Sequence, residues 1–234
     1  MDLPSENLAA IYRRRFENTS DYRNQVWSVL TQFFFNRLIP AQATVLDLGC
    51  GYGEFINQIR AARKIAMDLN PDVPKHLHPE IQHLCQDCSA EWPLSPGALD
   101  VVFTSNFFEH LADKEHLLRT LRQVWRCLKP GGSLIAIGPN IKHLAGKYWD
   151  FFDHHVMLTE ASLGEALAIS GFELQQVVER FLPFTMVNAR RYPLWVVRVY
   201  LATPVLWRIF GRQFLVVARK PSADSPLPES RSAL

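Results

Sequence analysis

Residues 45–55 read Val-Leu-Asp-Leu-Gly-Cys-Gly-Tyr-Gly-Glu-Phe. A short apolar run leads into a loop with glycines at 49, 51 and 53. The apolar spacing of FINQIRAA, residues 55–62, predicts a helix directly after it. Glycine suits a place where the chain turns sharply and a ligand approaches the backbone with no Cβ in the way. The unpaired amides at the start of the helix would then face that ligand.

Outward from this stretch, short apolar or β-branched runs recur. TVLDL (44–48), KIAMD (64–68), IQHLC (81–85), LDVVFTS (99–105) and SLIAIG (133–138) are predicted strands. Helical periodicity separates them, most clearly from Asp113 to Leu128, where KPGG (129–132) ends the pattern. Another helix is expected over Leu158–Ser170, capped by Thr159 and closed by Gly171. FELQQVVERF (172–181) and QFLVVARK (213–220) add two strands. Alternating strands and helices imply an α/β fold: Rossmann-like, doubly wound, with a mostly parallel seven-stranded sheet and helices on both faces. Two helices, broken near Asn18–Asp21, are expected as an N-terminal cap over residues 1–40. The main domain would run over 41–220, and the polar, proline-bearing residues 221–234 are expected to be a disordered tail.

The 234 residues suffice for one well-cored domain, and 48% hydrophobic with 21% charged residues exclude a disordered, collagen-like or disulfide-scaffold chain. The net charge of +2 is unevenly spread. From Phe181 to Lys220 there are seven basic and no acidic side chains, leaving eighteen basic against twenty-three acidic residues elsewhere. Four cysteines are too few for a secreted framework, and the N-terminus has no apolar stretch of signal-peptide length. The most hydrophobic run, 193–210, is broken by Arg198, Pro204 and Arg208, so no membrane span is expected. A cytoplasmic location follows, with contact to the inner membrane face as an added option.

The glycine loop could serve two kinds of nucleotide. A nicotinamide dinucleotide wants G-x-G-x-x-G. Here the third glycine comes one place early, Glu54 takes its position, and Asp47 and Glu54 would repel a pyrophosphate. The same acids suit a ligand carrying an ammonium and a sulfonium, as S-adenosylmethionine does. With these motifs in order, the chain resembles the class I S-adenosylmethionine-dependent methyltransferases over about residues 44–140. That resemblance implies the following sites. Gly49, Gly51 and Gly53 wrap the methionine part, with Asp47 beneath it. Asp68, ending the second strand in AMDLNP, accepts both ribose hydroxyls, with Leu69 beside it in the pocket. Asp87 in CQDCSAEWPL accepts from the adenine amino group, next to the Cys88 amide. Asn106 in TSNFFEHL lies near the methionine end and the acceptor. A solvated loop acid at Asp87 and a local turn cap at Asn106 remain the plainer readings.

Three histidines are candidate bases: His110 after the fourth strand, and His154 and His155 past the fifth. Ligands in such sheets bind beyond the carboxyl ends of the strands, and neutral imidazole can take a proton from an attacking hydroxyl. The alternatives are a loop brace at His110 and a doublet split into one buried and one exposed ring. Cys85 and Cys88 form a C-x-x-C near His83, but no second pair completes a zinc set, so no metal site is expected.

Residues 182–212 stand as an apolar, basic insertion between the last two strands. They form either a helical pair packed on the sheet or an element lying on an anionic membrane. Nucleic acid is not an expected partner, since no recognised module is present. RNQVWSVL, DLNPD, SNFFEHL, GPNIKHLAGKYWDFFDHHVMLTE, GFEL and ERFLPFT are also similar to a narrower bacterial methyltransferase group tied to surface-polysaccharide and lipid-linked glycan synthesis. This implies O-methylation of a sugar hydroxyl on a glycan or glycolipid precursor. A quinone, a polyketide or another lipophilic acceptor is the alternative, as is a non-catalytic cofactor-binding protein. The oligomeric state is left open.

Overall fold

The computed structural model describes residues 20–144, 146–184 and 191–222. The helix expected within residues 5–18, Arg190 in the insertion and the tail from 223 onward lie outside the described residues.

Seven strands form one sheet: β1 (Thr44–Leu48), β2 (Arg63–Met67), β3 (Gln82–Leu84), β4 (Leu99–Ser105), β5 (Leu128–Pro139), β6 (Glu173–Val178) and β7 (Gln213–Arg219). Their spatial order is β3-β2-β1-β4-β5-β7-β6. Neighbours from β3 to β5 run parallel, and β7 runs antiparallel to both β5 and β6. The expected doubly wound, mostly parallel sheet is therefore present.

Burial follows the strand period of two. Leu46, Ile65, Met67, Val102, Leu134, Ala136 and Val216 point into one core, and Val45, Ala66, Val101, Phe103, Ile135, Ile137 and Leu215 into the other. Both faces are covered, which explains why the strands read as near-continuous apolar runs. Helices α2 (Lys114–Cys127) and α3 (Glu160–Ile169) cover the first face through Leu117, Leu121, Val124, Leu163 and Leu167. Asp113 caps α2 by accepting from the His116 amide at 2.8 Å, and Thr159 and Ser162 form a capping box at α3. Helix α1 (Ser20–Phe33) covers the second face through Val26, Trp27 and Leu30. Beside it lie α4 (Leu194–Ala202) and α5 (Pro204–Phe210), the helical pair of the insertion. An aromatic cluster of Trp27, Phe35, Phe55, Phe103, Phe181 and Trp207 ties α1, the glycine loop, the sheet and the insertion together.

Three expectations need correcting. FINQIRAA forms turns, not a regular helix: Asn57 and Ile59 donate to Gly53 and Phe55 at 3.0 Å, and the pattern stops there. Tertiary partners claim the backbone groups a helix would use internally. Asp47 takes the Ile56 amide, Asn36 takes the Arg60 amide, and Lys64 donates to the Asn57 carbonyl. Strand β5 begins at Leu128, five residues early, because Leu128 pairs with Leu99 ahead of a register shift and Gly131 turns the chain at φ 78°. Strand β6 stops at Val178, and Phe181 instead donates its amide to Gln213.

Candidate active site

The glycine loop leaves the end of β1 and is hydrogen-bonded to the carboxyl end of β2. Gly49, Gly51 and Gly53 all have positive φ (69°, 54° and 76°), so the turn needs the left-handed region three times in five residues. At Gly49 there is a further demand. An added Cβ would stand 2.2 Å from the Phe107 ring, which lies against the loop from the other side. The Gly49 and Cys50 amides donate to the Met67 carbonyl, and Gly51 donates to Asp68 Oδ2 at 2.9 Å.

Asp68 thus sits where the ribose-binding acid was expected. Its Oδ1 accepts from the Asn70 amide at 2.9 Å. Each oxygen keeps a second acceptor direction, so the carboxylate is aimed and still able to take a diol. Burial pushes its pKa up, although the two amides pull the other way. Asp47 is 3% exposed at the floor of the loop, and burial, then the Glu54 and Asp68 charges, hold its carboxyl well above the usual range. A cationic ligand above Asp47 would offset both causes by favouring the ionised carboxylate. Glu54 corrects the sequence reading. It forms a buried ion pair with Arg23 of α1 at 2.9 Å, so its charge is met from within the chain. The case against a pyrophosphate rests on Asp47.

The remaining expected cofactor residues lie along the same edge. Leu69 is exposed beside Asp68, and Cys88 is buried with its thiol 3.4 Å from the Thr120 hydroxyl. Asp87 is exposed and caps a local turn, its Oδ1 accepting from Ser89 at 2.7 Å. Asn106 is the one non-glycine residue among those described with positive φ, 51°. Its amide donates to Ile137 at 2.9 Å, which holds that conformation at the junction of β4 and β5. Cys85, the other half of the C-x-x-C, is exposed and bonds the Leu69 carbonyl, while Cys88 turns inward.

Beyond the ends of β4 and β5 the chain brings together Glu109, His110 and His154. Glu109 is 3% exposed, and burial raises its carboxyl to about 7. His110 Nδ1 lies 3.0 Å from the Asp153 carbonyl and 3.2 Å from Asp153 Oδ2. Burial alone would lower this imidazole, but the Asp153 bond and the two carboxylates outweigh it, and the net shift is upward. His154 is buried, stacked on Phe151, with its ring 5.0 Å from that of His110. His155 points outward, so the doublet splits into one buried and one exposed ring. What joins the two segments is main chain: the His155 and Val156 amides both donate to the Glu109 carbonyl, at 2.7 and 3.1 Å. Asp153 and Glu109 were not singled out in the sequence, because their partner segments lie more than forty residues apart.

The Asp68 assignment has a direct test. Hydrogen bonds to a charged group contribute about 1.5–3 kcal/mol each, so Asp68→Ala should weaken S-adenosylhomocysteine binding at least about tenfold. Calorimetry with circular dichroism as the fold check reads this; unchanged affinity would remove Asp68 from the cofactor site.

The sheet order, the reversed β7, the glycine cradle and the acid closing β2 together define a class I S-adenosylmethionine-dependent methyltransferase. The chain belongs to the Methyltransferase domain family, matched over residues 20–177, and S-adenosylmethionine is its cofactor. A solved S-adenosylmethionine-dependent methyltransferase from Archaeoglobus fulgidus superposes with a TM-score of 0.62 at 25% identity, over 85% of this chain and 94% of that one. The mouse tRNA (carboxymethyluridine(34)-5-O)-methyltransferase is 23% identical over 153 residues, 63% of this chain and 23% of the relative. The ubiquinone biosynthesis O-methyltransferase of Xanthomonas euvesicatoria is 32% identical over 118 residues, 45% of this chain and 47% of that one. The chain therefore spans less than half the length of these two curated relatives. Since one of them is named for tRNA, the expectation that nucleic acid is no partner draws no support from these comparisons.

Proposed function

We propose that this methyltransferase O-methylates a sugar hydroxyl on a lipid-linked glycan precursor, working at an anionic membrane surface. The observation that carries the reading is an apolar rim beside the histidine cluster. Trp149, Phe152 and Met157 are 59%, 84% and 46% exposed in the segment that supplies His154. Phe151 of that segment packs edge-on against Phe184 of the insertion, 5.8 Å away. The insertion exposes Trp195, Val199, Val205, Ile209 and Phe210 as well. Large apolar side chains exposed on both segments mark an interaction site, and the insertion has basic and no acidic residues.

When bound, S-adenosylmethionine supplies an activated methyl on its sulfonium. Asp47 and the three glycines would hold the methionine end, Asp68 the ribose, and Leu69, Asp87 and Cys88 the adenine. Asn106 would face the acceptor. Among the candidate bases, His110 and His154 share the cluster that meets the acceptor hydroxyl, and His155 stands outside it. Much of the acceleration comes from positioning. A second reading, a quinone-type lipophilic acceptor, is favoured by the 32% identity to the ubiquinone pathway enzyme.

Labelled S-adenosylmethionine offered with extracted glycolipid, a catechol quinone precursor or tRNA separates these. Label in the glycolipid supports the first reading, in the catechol the second, and in tRNA overturns both.

The insertion itself divides into two faces. Leu201 is buried in the second core, Trp207 packs on Phe34 and Phe181, and Arg198 lies over the Phe33 ring at 4.1 Å. These residues serve the helical packing, the first of the two alternatives for the insertion. Arg208 and Arg212 remain exposed, and no helix among the described residues is long and apolar enough to cross a membrane. An arginine near an anionic bilayer contributes about 1 kcal/mol. The protein should sediment with anionic liposomes at low salt and be released at high salt. Arg208→Glu with Arg212→Glu should reduce sedimentation about tenfold or more and leave cofactor affinity unchanged. A wild type that ignores such liposomes would make the insertion a packed lid.

A further inference from the structure

Among the described residues, Glu109, His110 and His154 are brought close enough to share an ion. Their ligating atoms all lie within 4.8 Å of one another. We propose that this cluster is a binding site for a divalent first-row transition cation of the zinc type. The inference rests on the acceptor-side reading above, and it replaces the expectation of no metal site.

The ligand set decides the class of ion. Two imidazoles and one carboxylate suit zinc and its borderline neighbours, whereas magnesium and calcium prefer oxygen alone. Three protein ligands leave a fourth position open, as catalytic zinc sites do. His110 is already set for the task. Its Nδ1 is engaged by the carbonyl and carboxylate of Asp153, at 3.0 and 3.2 Å, which leaves Nε2 as its ligating atom. A carboxylate behind a histidine is the usual support for a metal-bound ring. The two donor segments are also tied together, by the His155 and Val156 amides on the Glu109 carbonyl. Around a tetrahedral ion the ligand atoms would stand roughly 3.3 Å apart, a closure within reach of small side-chain rotations. With the Glu109 and Asp153 carboxylates close by, the charge favours a cation. His110, 29% exposed at its side chain, marks the open side.

An acceptor hydroxyl taken as the fourth ligand would be acidified. Its proton leaves to solvent, the oxygen bonds the methyl carbon, and the carbon–sulfur bond breaks with its electron pair returning to sulfur.

The test uses the full chain stripped with a chelator. Titration calorimetry should show one equivalent of Zn²⁺ bound and no saturable heat with Mg²⁺. Co²⁺ in its place should give the visible absorption of a low-coordinate site. Glu109→Gln should weaken Zn²⁺ binding at least tenfold, and Asp153→Asn about 10–100-fold. His116→Ala removes a half-buried imidazole of α2 outside the cluster, already bonded to Asp113, and should change nothing. Because the buried variants could misfold, ring-nitrogen NMR of the wild type gives a second reading: Zn²⁺ should shift the His110 and His154 signals. No saturable Zn²⁺ binding, binding indifferent to Glu109→Gln, or shifts confined to other histidines overturns the site. S-adenosylhomocysteine titrated into the same stripped protein keeps the two ideas apart. Cofactor binding without zinc binding ends the cation proposal alone, and zinc binding without cofactor binding ends the methyl-transfer reading.

Discussion

Gly49→Ala is expected to lower S-adenosylhomocysteine affinity at least tenfold and to cost the protein measurable stability. Two penalties combine there. A left-handed conformation costs a non-glycine residue roughly 1–2 kcal/mol, and the new Cβ would stand 2.2–2.8 Å from three atoms of Phe107. Phe107 cannot move alone. It follows Asn106 with its φ of 51° and precedes the turn that carries Glu109 and His110. The clash therefore disturbs the cofactor loop and the acceptor cluster together. Gly97 supplies the control: its φ is 68°, and an added Cβ there meets nothing within 4 Å. Gly97→Ala should show the conformational penalty alone, as a small drop in melting temperature with cofactor affinity intact. Equal behaviour of the two variants in calorimetry would show that the Phe107 contact does not shape the site.

The largest effect on turnover is expected at the histidine cluster. His110→Ala and His154→Ala should each reduce methyl transfer to the acceptor by about 10²–10⁴-fold, through loss of the base or of a ligand to the proposed ion, with cofactor affinity nearly constant. His155→Ala, whose ring is exposed and whose contribution to Glu109 is a backbone amide, should stay near the wild-type rate. Initial rates with the acceptor found in the label-transfer assay read all three. If His155 alone proves necessary, the acceptor lies outside the cluster and the roles of Glu109, His110 and His154 are structural.

The strands were legible because a sheet covered on both faces writes itself as short apolar runs, and each of the seven was found within a few residues. Asp68 was legible for a similar reason: it closes β2, and the loop it serves begins at the end of the neighbouring strand. What escaped depends on distant partners. Nothing near FINQIRAA says that Asp47, Asn36 and Lys64 will take its backbone groups. Glu54 read as an acid for the ligand because Arg23, which neutralises it, lies thirty-one positions upstream on α1. For residues 182–212 packing and membrane contact both stayed open, because the spacing cannot show Phe33 beneath Arg198. His110 and His154 were both named, yet their meeting with Glu109 depends on β4 and β5 being neighbours and on two amides crossing between the segments.

Because β7 runs against β5, with Gln213 opposite Pro139, the chain leaves β6 and re-enters the sheet at the edge where the strands carry their ligands. The connection between β6 and β7 thus leaves and returns at that edge as a tip, and in the methyl-transfer reading proposed above it would serve the acceptor side, with the donor held by β1, β2 and the glycine turn on the other half of the sheet. A tip can grow, shrink or change its side chains without moving the register of a single strand. On that reading the half that fixes what is given is separate from the half that chooses what receives it, and the second can be rewritten while the first is left alone.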